Sequence, residues 1–139
     1  MRATLVDTGP LVAAIDESDR DHRRCLSVLK QLSDPLVTTW PVVTEAVYLL
    51  GQTQNPVDSQ DALLAMLDRG LVVFAELGPE DVPRLRTLIR QYSDLPMDLA
   101  DATLVRVAER DGLRQVFTLD QRDFKIYKPG RRESFTIVP

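Results

Sequence analysis

The sequence predicts an α/β protein built on a central, mostly parallel sheet of about five strands. Three observations lead there. Short apolar runs alternate with segments of helical periodicity along the whole chain. Asp34-Pro35, Asn55-Pro56, Gly70, Pro96 and Gly112 punctuate them. With 44% hydrophobic and 27% charged residues, the composition is that of a globular chain rather than a disordered or fibrous one. Strands that alternate with helices imply a parallel sheet covered on both faces. No internal repeat, low-complexity stretch or Gly/Ser linker divides the 139 residues. Residues 1–139 are therefore expected to form one domain, burying about two-thirds of its unfolded surface.

Residues 3–6 (ATLV) form an apolar run ending at Asp7, a strand candidate, with a short helix expected from about Pro10. Cys25, Val28, Leu29 and Leu32 follow i, i+3, i+4, i+7 spacing, which predicts an amphipathic helix over 19–33. Asp34-Pro35 stops it, and 36–39 reads as the second strand. Pro41 suits the first turn of a helix, where its missing N–H would be unpaired anyway; that helix runs through Val42, Val43, Glu45, Ala46 and Leu49 to Gly51. The next helix is expected over 58–69, with Leu63, Leu64 and Leu67 inward and Gly70 at its end. LVVFAE at 71–76 is the clearest strand signal in the chain. Pro79-Glu80-Asp81 opens a helix carrying Val82, Leu85, Leu88, Ile89 and Tyr92. A last helix spans 98–111, closed by Gly112, and strands are expected at 116–119 and 135–138.

Composition narrows the function. The one cysteine, Cys25, cannot form an internal disulfide or a Cys-based zinc site, and it lies on the apolar face of its helix, so a core position in a reducing cytoplasm is expected. MRATLVDTGP has no long apolar segment with a cleavage site, and no apolar run approaches membrane length, so a soluble chain with no membrane role is expected. The net charge of −4 is not that of a protein living on bulk phosphate binding. Any nucleic-acid role must rest on a local basic patch or on bound metal. Five of the eleven residues at 122–132 are basic: Arg122, Lys125, Lys128, Arg131 and Arg132. Arg20, Arg23 and Arg24 form a smaller group. Either set reads as a solvated face, and the later one, directly following Asp120, also reads as a grip on a substrate backbone. His22, between Asp21 and Arg23, is expected to be exposed, which leaves no histidine placed as a general base. The phosphate-cradling patterns G-x-x-x-x-G-K-[ST] and G-x-G-x-x-G are absent.

The acids carry the chemistry. Asp7 follows the first strand, Glu45 lies in the helix after the second, Asp101 sits in the first turn of the helix feeding the fourth, and Asp120 follows that strand. In parallel sheets functional groups gather beyond the carboxyl ends of the strands, so the four are expected near one edge. Each pair of carboxylates at 4 Å would cost about 4 kcal/mol at an effective dielectric of 20, so protons or cations must neutralise them. Oxygen-only ligands select hard ions such as Mg²⁺ or Mn²⁺ over zinc. Such ions activate water and neutralise an attacked phosphodiester. A bound cation lowers the pKa of water, which would replace the missing histidine base. Metal-dependent phosphodiester hydrolysis is the chemistry that follows.

VDTGPLVAAID at the start, TEAVYLL in the middle, and DLADATLVRVAERDGLRQVFTLDQRDF near the end resemble the PIN-domain nucleases, closest to the VapC-type toxins of prokaryotic toxin–antitoxin pairs. The most specific piece is the Asp101-Ala102 helix followed, nineteen residues on, by the T-x-D-x-x-D-F turn that contains Asp120. The resemblance covers essentially the whole chain and places the family's acids on Asp7, Glu45, Asp101 and Asp120. It implies a PIN-like α/β/α sandwich and a Mg²⁺-dependent endoribonuclease leaving a 5′-phosphate and a 3′-hydroxyl. It also implies a tRNA, rRNA or mRNA substrate, a homodimer, and inhibition by a small VapB-like antitoxin. The chain carries acids at both 98 and 101, and the family's motif favours the one before alanine.

Each candidate also has a structural reading. Asp7 could end a strand or cap a helix, and Thr8 could orient Asp7 through its hydroxyl or merely satisfy local backbone. Asp98 reads as an N-cap, with Asp101 at N3 reaching back as in a capping box. The helix N-terminus also favours the Asp101 charge. Asp123 reads as a cap within the D-x-x-D turn, leaving Asp98 and Asp123 as secondary metal candidates. Trp40 reads equally as a core or an interface anchor, and Tyr48, Tyr92, Phe124 and Tyr127 are candidates for stacking on RNA bases. Two rival functions remain. L-V-D-T-G is also the signature of a dimeric aspartic protease, in which two chains share a proton between aspartates. Those proteases are mostly β and need neither Glu45 nor Asp101. The other rival is an inactive PIN-like scaffold binding RNA or protein, which has no physical reason to keep a repulsive acidic cluster.

Overall fold

The computed structural model describes residues 2–139. Its strands are β1 (Thr4–Val6), β2 (Leu36–Thr38), β3 (Val73–Phe74), β4 (Gln115–Phe117) and β5 (Thr136–Val138). Its helices are α1 (Thr8–Ile15), α2 (His22–Gln31), α3 (Trp40–Leu50), α4 (Pro56–Asp68), α5 (Val82–Gln91), α6 (Leu99–Asp111) and α7 (Gln121–Ile126). The sheet order is β3-β2-β1-β4-β5 and every pairing is parallel, as the alternation of strands and helices requires. From β1 the chain winds outward through β2 to β3, then returns to add β4 and β5 on the other side. The strand order therefore reverses between β1 and β4, the position where open α/β sheets form their ligand crevice. An all-parallel sheet rules out the mostly β architecture of the aspartic protease alternative.

The buried apolar set is contributed by nearly every element: Leu5 and Val6 of β1, Val42 and Val43 of α3, Leu104 and Val105 of α6, Val116 and Phe117 of β4. Cys25 is fully buried, as its helix face predicts, and burial pushes its thiol pKa up to about 11. Helix α1 packs on α2 and α3, α3 on α4 and α6, and α5 on α6. Gly112 closes α6 at φ +71°, a left-handed turn that costs a residue without a Cβ little.

The run at 71–76 gives the shortest strand rather than the clearest one. Only Val73 and Phe74 enter the ladder, and one further bond joins Ala75 N–H to the Thr38 carbonyl at 2.9 Å. Strand β3 is an edge with a single neighbour, and Leu71 and Val73 are exposed; a short edge limits sheet-to-sheet pairing. Helix α1 starts at Thr8, ahead of Pro10, because the Asp7 carboxylate accepts the Thr8 N–H at 2.8 Å. The helix expected from Pro79 begins with a 3₁₀ turn, Pro79–Asp81, before α5. Leu64, expected inward, is exposed, as are Val82 and Ile89, since α4 and α5 bury narrower stripes than their apolar residues allow. Residues 121–126, read as a turn, form α7.

The turn before α5 is locked to α6. Asp81, fully buried, accepts the Gly78 N–H at 2.9 Å, Arg106 Nε at 2.8 Å and Arg110 Nη1 at 3.3 Å. The backbone N–H and then the Arg106 guanidinium hold its carboxyl below the usual range. Arg84 of α5 pairs with Glu109 of α6 at 2.7 Å. This network joins the Gly78 turn and α5 to the C-terminal half of α6, away from its first turn.

Candidate active site

Asp7, Glu45, Asp98, Asp101 and Asp120 line one cleft of about 460 Å³, together with Thr8, Gly9, Leu49 and Leu119. The four acids expected together are together. Each is delivered by a different element. The β1–β4 register pairs Val6 with Phe117, so Asp7 and Thr118 emerge side by side beyond the last rung. Helix α3 contributes Glu45, α6 contributes Asp101 in its first turn, and α7 starts from Asp120. Gly9 lets α1 approach the β4–α7 connection closely, since a Cβ there would lie 3.3 Å from Leu119 Cδ1.

Thr118 is the residue that sequence reasoning missed. Its hydroxyl donates to Asp7 Oδ2 at 2.8 Å and accepts the Asp120 N–H at 2.9 Å, linking two of the acids. The orienting role considered for Thr8 belongs to Thr118. The Thr8 hydroxyl turns instead toward Glu45 Oε2 at 3.4 Å and the Val42 carbonyl at 3.5 Å, while only its N–H meets Asp7. The T-x-D spacing was the available signal for Thr118.

Asp98 is the N-cap of α6, its Oδ1 accepting the Asp101 N–H at 2.8 Å. Asp101 makes no reciprocal capping-box bond. Its Oδ2 accepts the Tyr127 hydroxyl at 3.0 Å, because Tyr127 at the end of α7 lies over the first turn of α6. Asp120, not Asp123, caps the D-x-x-D turn: its Oδ1 accepts the Asp123 N–H at 3.4 Å, and Asp123 does not line the cleft.

Three of the aromatic residues considered for base stacking are core residues. Tyr92, Phe124 and Tyr127 are buried and meet edge to face, Tyr127 against Tyr92 at 5.0 Å and against Phe124 at 5.2 Å. Tyr48 is exposed. Trp40 is 60% exposed, so it is not a core anchor; its ring stacks on Phe74 at 4.1 Å. His22, expected to be exposed, is partly buried, with Nδ1 at 2.7 Å from the Ala13 carbonyl. That contact ties α2 to α1 and keeps the imidazole out of the cleft residues. Arg122, Lys125, Lys128, Arg131 and Arg132 are all exposed.

The electrostatics are those of an unneutralised acidic cluster. Among the described residues no Lys, Arg or His pairs with any of the five cleft carboxylates. Burial, then the charges of Asp7 and Asp98, push the Asp101 pKa up to about 8. Burial likewise raises Asp7 to about 6, against the lowering effect of its bonds from Thr118 and Thr8. Burial and Asp98 also raise Glu45. Burial first, then Asp101, holds the Tyr127 hydroxyl protonated far above its usual range. Among the described residues, no three His, Cys, Asp or Glu side chains stand close enough together, as placed, to hold a metal ion. The cleft offers only oxygen donors, spread open. That donor set fits a hard divalent cation that keeps waters and takes substrate phosphate oxygens as further ligands, and it does not fit zinc.

The sequence model of the PIN domain matches residues 4–128. The chain belongs to the PIN domain family. Ribonuclease VapC26 of Mycobacterium tuberculosis is 31% identical over 135 residues, covering 97% of this chain and 99% of that protein. The fold of this PIN domain also matches solved structures. The sarcin–ricin loop cleaving toxin VapC20 of M. tuberculosis superposes with a TM-score of 0.78 at 16% identity, over 86% of this chain and 91% of its own. VapBC2 from Rickettsia felis, bound to a promoter DNA fragment, gives a TM-score of 0.70 at 14% identity and full coverage of both chains. No helix among the described residues of this PIN domain is long and apolar enough to cross a membrane.

Proposed function

We propose that this PIN domain is a divalent-metal-dependent endoribonuclease and the toxin member of a VapBC-type pair. The observation that carries the reading is the convergence of Asp7, Glu45, Asp101 and Asp120 in one cleft without a cationic partner among the described residues. The near-full-length likeness to a protein named as a ribonuclease supports RNA as the substrate class. Neighbours solved as VapBC complexes support a small VapB-like antitoxin as partner. Homodimer formation belongs to the same proposal, and light scattering of the purified chain tests it.

The four acids would hold Mg²⁺ or Mn²⁺, with Asp98 close enough to add to the negative field. The bound ion would supply an activated water and neutralise charge on the attacked phosphodiester. The chain does the rest. Thr118 donates to the Asp7 carboxylate and accepts the backbone N–H of Asp120. Thr8 leans on Glu45. The exposed basic side chains of Arg122, Lys125, Lys128, Arg131 and Arg132 begin two residues after Asp120, where they would hold the RNA backbone against the cleft.

Purified protein incubated with tRNA and ribosomal RNA, in Mg²⁺, Mn²⁺ or EDTA, with Asp101→Ala in parallel, tests the reading. Discrete metal-dependent cuts that vanish in Asp101→Ala are expected. Equal cutting by the variant would assign the activity elsewhere. RNA binding without cutting, in protein freed of antitoxin, would favour a scaffold.

A further inference from the structure

We propose that Tyr127 is a positioning residue for the acidic cleft, its hydroxyl holding one oxygen of Asp101 so that the other faces the cation. The inference rests on the proposal that the cleft binds a divalent metal. Tyr127 is fully buried, and its hydroxyl meets Asp101 Oδ2 at 3.0 Å, a hydrogen bond that becomes charge-assisted when a bound cation ionises Asp101 and that leaves Oδ1 available.

The geometry of that hydroxyl is fixed on all sides. The ring is held edge to face by Tyr92 and Phe124, and Phe124 in turn by Phe135 at 5.5 Å. The Tyr127 N–H closes α7 on the Asp123 carbonyl at 2.9 Å. The N–H of the following Lys128 donates to the Tyr92 hydroxyl at 3.1 Å. A single six-residue helix thus carries Asp120 at its start and Tyr127 at its end, and spans from one cleft acid to the side chain that orients another. Groups that bond to metal ligands set ligand orientation, and their loss typically costs about 10–100-fold in metal affinity or activity.

The test is Tyr127→Phe, which keeps the ring and removes only the hydroxyl. Mn²⁺ affinity is read directly by the EPR signal of free Mn²⁺, and RNA cleavage is titrated with Mg²⁺ in parallel. The expected result is Mn²⁺ binding weakened about tenfold or more and a matching rise in the Mg²⁺ needed for half-maximal cleavage. At saturating Mg²⁺ the KM for RNA stays unchanged. Tyr48→Phe is the control: it removes the hydroxyl of an exposed tyrosine that does not line the cleft, and its Mn²⁺ affinity stays at the wild-type value. Wild-type affinity in Tyr127→Phe, or equal weakening in both variants, overturns the inference. Wild-type protein that binds Mn²⁺ but cuts no RNA overturns the ribonuclease reading alone, and the affinity difference still decides the role of Tyr127.

Discussion

Thr118 Oγ1 lies 2.8 Å from Asp7 Oδ2 because the two residues sit one step beyond the Val6–Phe117 pair of the β1–β4 ladder. The Asp7 N–H also reaches back to the Phe117 carbonyl at 2.9 Å. Strand register, set by the buried faces of β1 and β4, therefore determines the rotamer of a cleft carboxylate 111 residues away in sequence.

Thr118→Val keeps the shape of the side chain and removes the hydroxyl. It leaves an Asp7 oxygen and the Asp120 N–H without their partner, and leaving a buried polar group unsatisfied costs about 1–3 kcal/mol. Urea denaturation should show that loss, with cleavage falling about tenfold or more as the ligand orientation is released. Thr118→Ser should retain most of both. A Val variant as stable and as active as wild type would remove Thr118 from the site.

Asp7 and Asp101 give the protein a pH signature. Their folded pKa values, about 6 and about 8, lie above the ordinary 3.8. The folded chain binds these protons more tightly than the unfolded chain, so the stabilisation is complete below about pH 4 and is lost as pH rises through 6 and then 8. Asp81, Asp111 and Glu133 are shifted the other way and act only at more acidic pH. In EDTA, Tm should fall between about pH 5 and about pH 8.5. Mg²⁺ should restore it at the alkaline end, where ligands are deprotonated, by about 2.7 kcal/mol at a hundredfold excess over Kd. A Tm that rises with pH in EDTA would contradict the assignment.

Most of this architecture was legible because it is written in periodicity. The positions of β1, α3 and α6 follow from apolar spacing and from Pro or Gly at their ends, and the four acids follow from those positions. What was hidden depends on neighbours distant in sequence. Val73 and Phe74 have strand-forming chemistry, but their edge position limits the ladder to two residues. Tyr127 reads as an aromatic available for RNA until α7 is seen to fold it against Tyr92 and Asp101. Thr118 is an ordinary strand-end threonine until β1 lies beside it.

Asp81→Ala separates fold from site. Removing this carboxylate leaves Arg106, which is largely withdrawn from solvent, with only its Glu109 contact at 3.4 Å, and unpins the Gly78 turn. Breaking a buried ion pair from one side costs about 3–5 kcal/mol. Denaturation should show a loss of that size, while Mn²⁺ affinity measured below the unfolding transition stays at the wild-type value. An affinity that drops with stability would mean that the α5–α6 lock also sets the cleft.

Arg131→Ala combined with Arg132→Ala tests the basic segment. For every RNA phosphate that these arginines neutralise, their removal should flatten the logarithmic salt dependence of RNA binding by about 0.7. Filter binding in EDTA between low and moderate salt measures the slope without cleavage. An unchanged slope would take these two arginines off the RNA path.

The order in which the chain is made has its own consequence. Asp7, Glu45 and Asp101 all emerge before β4, yet β4 fills the place beside β1, and the segment that follows supplies Thr118, Asp120 and Tyr127. A nascent chain, or a fragment clipped after α6, holds three of the four acids but lacks the Thr118 and Tyr127 hydroxyls that bond to two of them. Assembly of the cleft is thus all-or-nothing with respect to synthesis: it is complete only when the last fifth of the chain is in place.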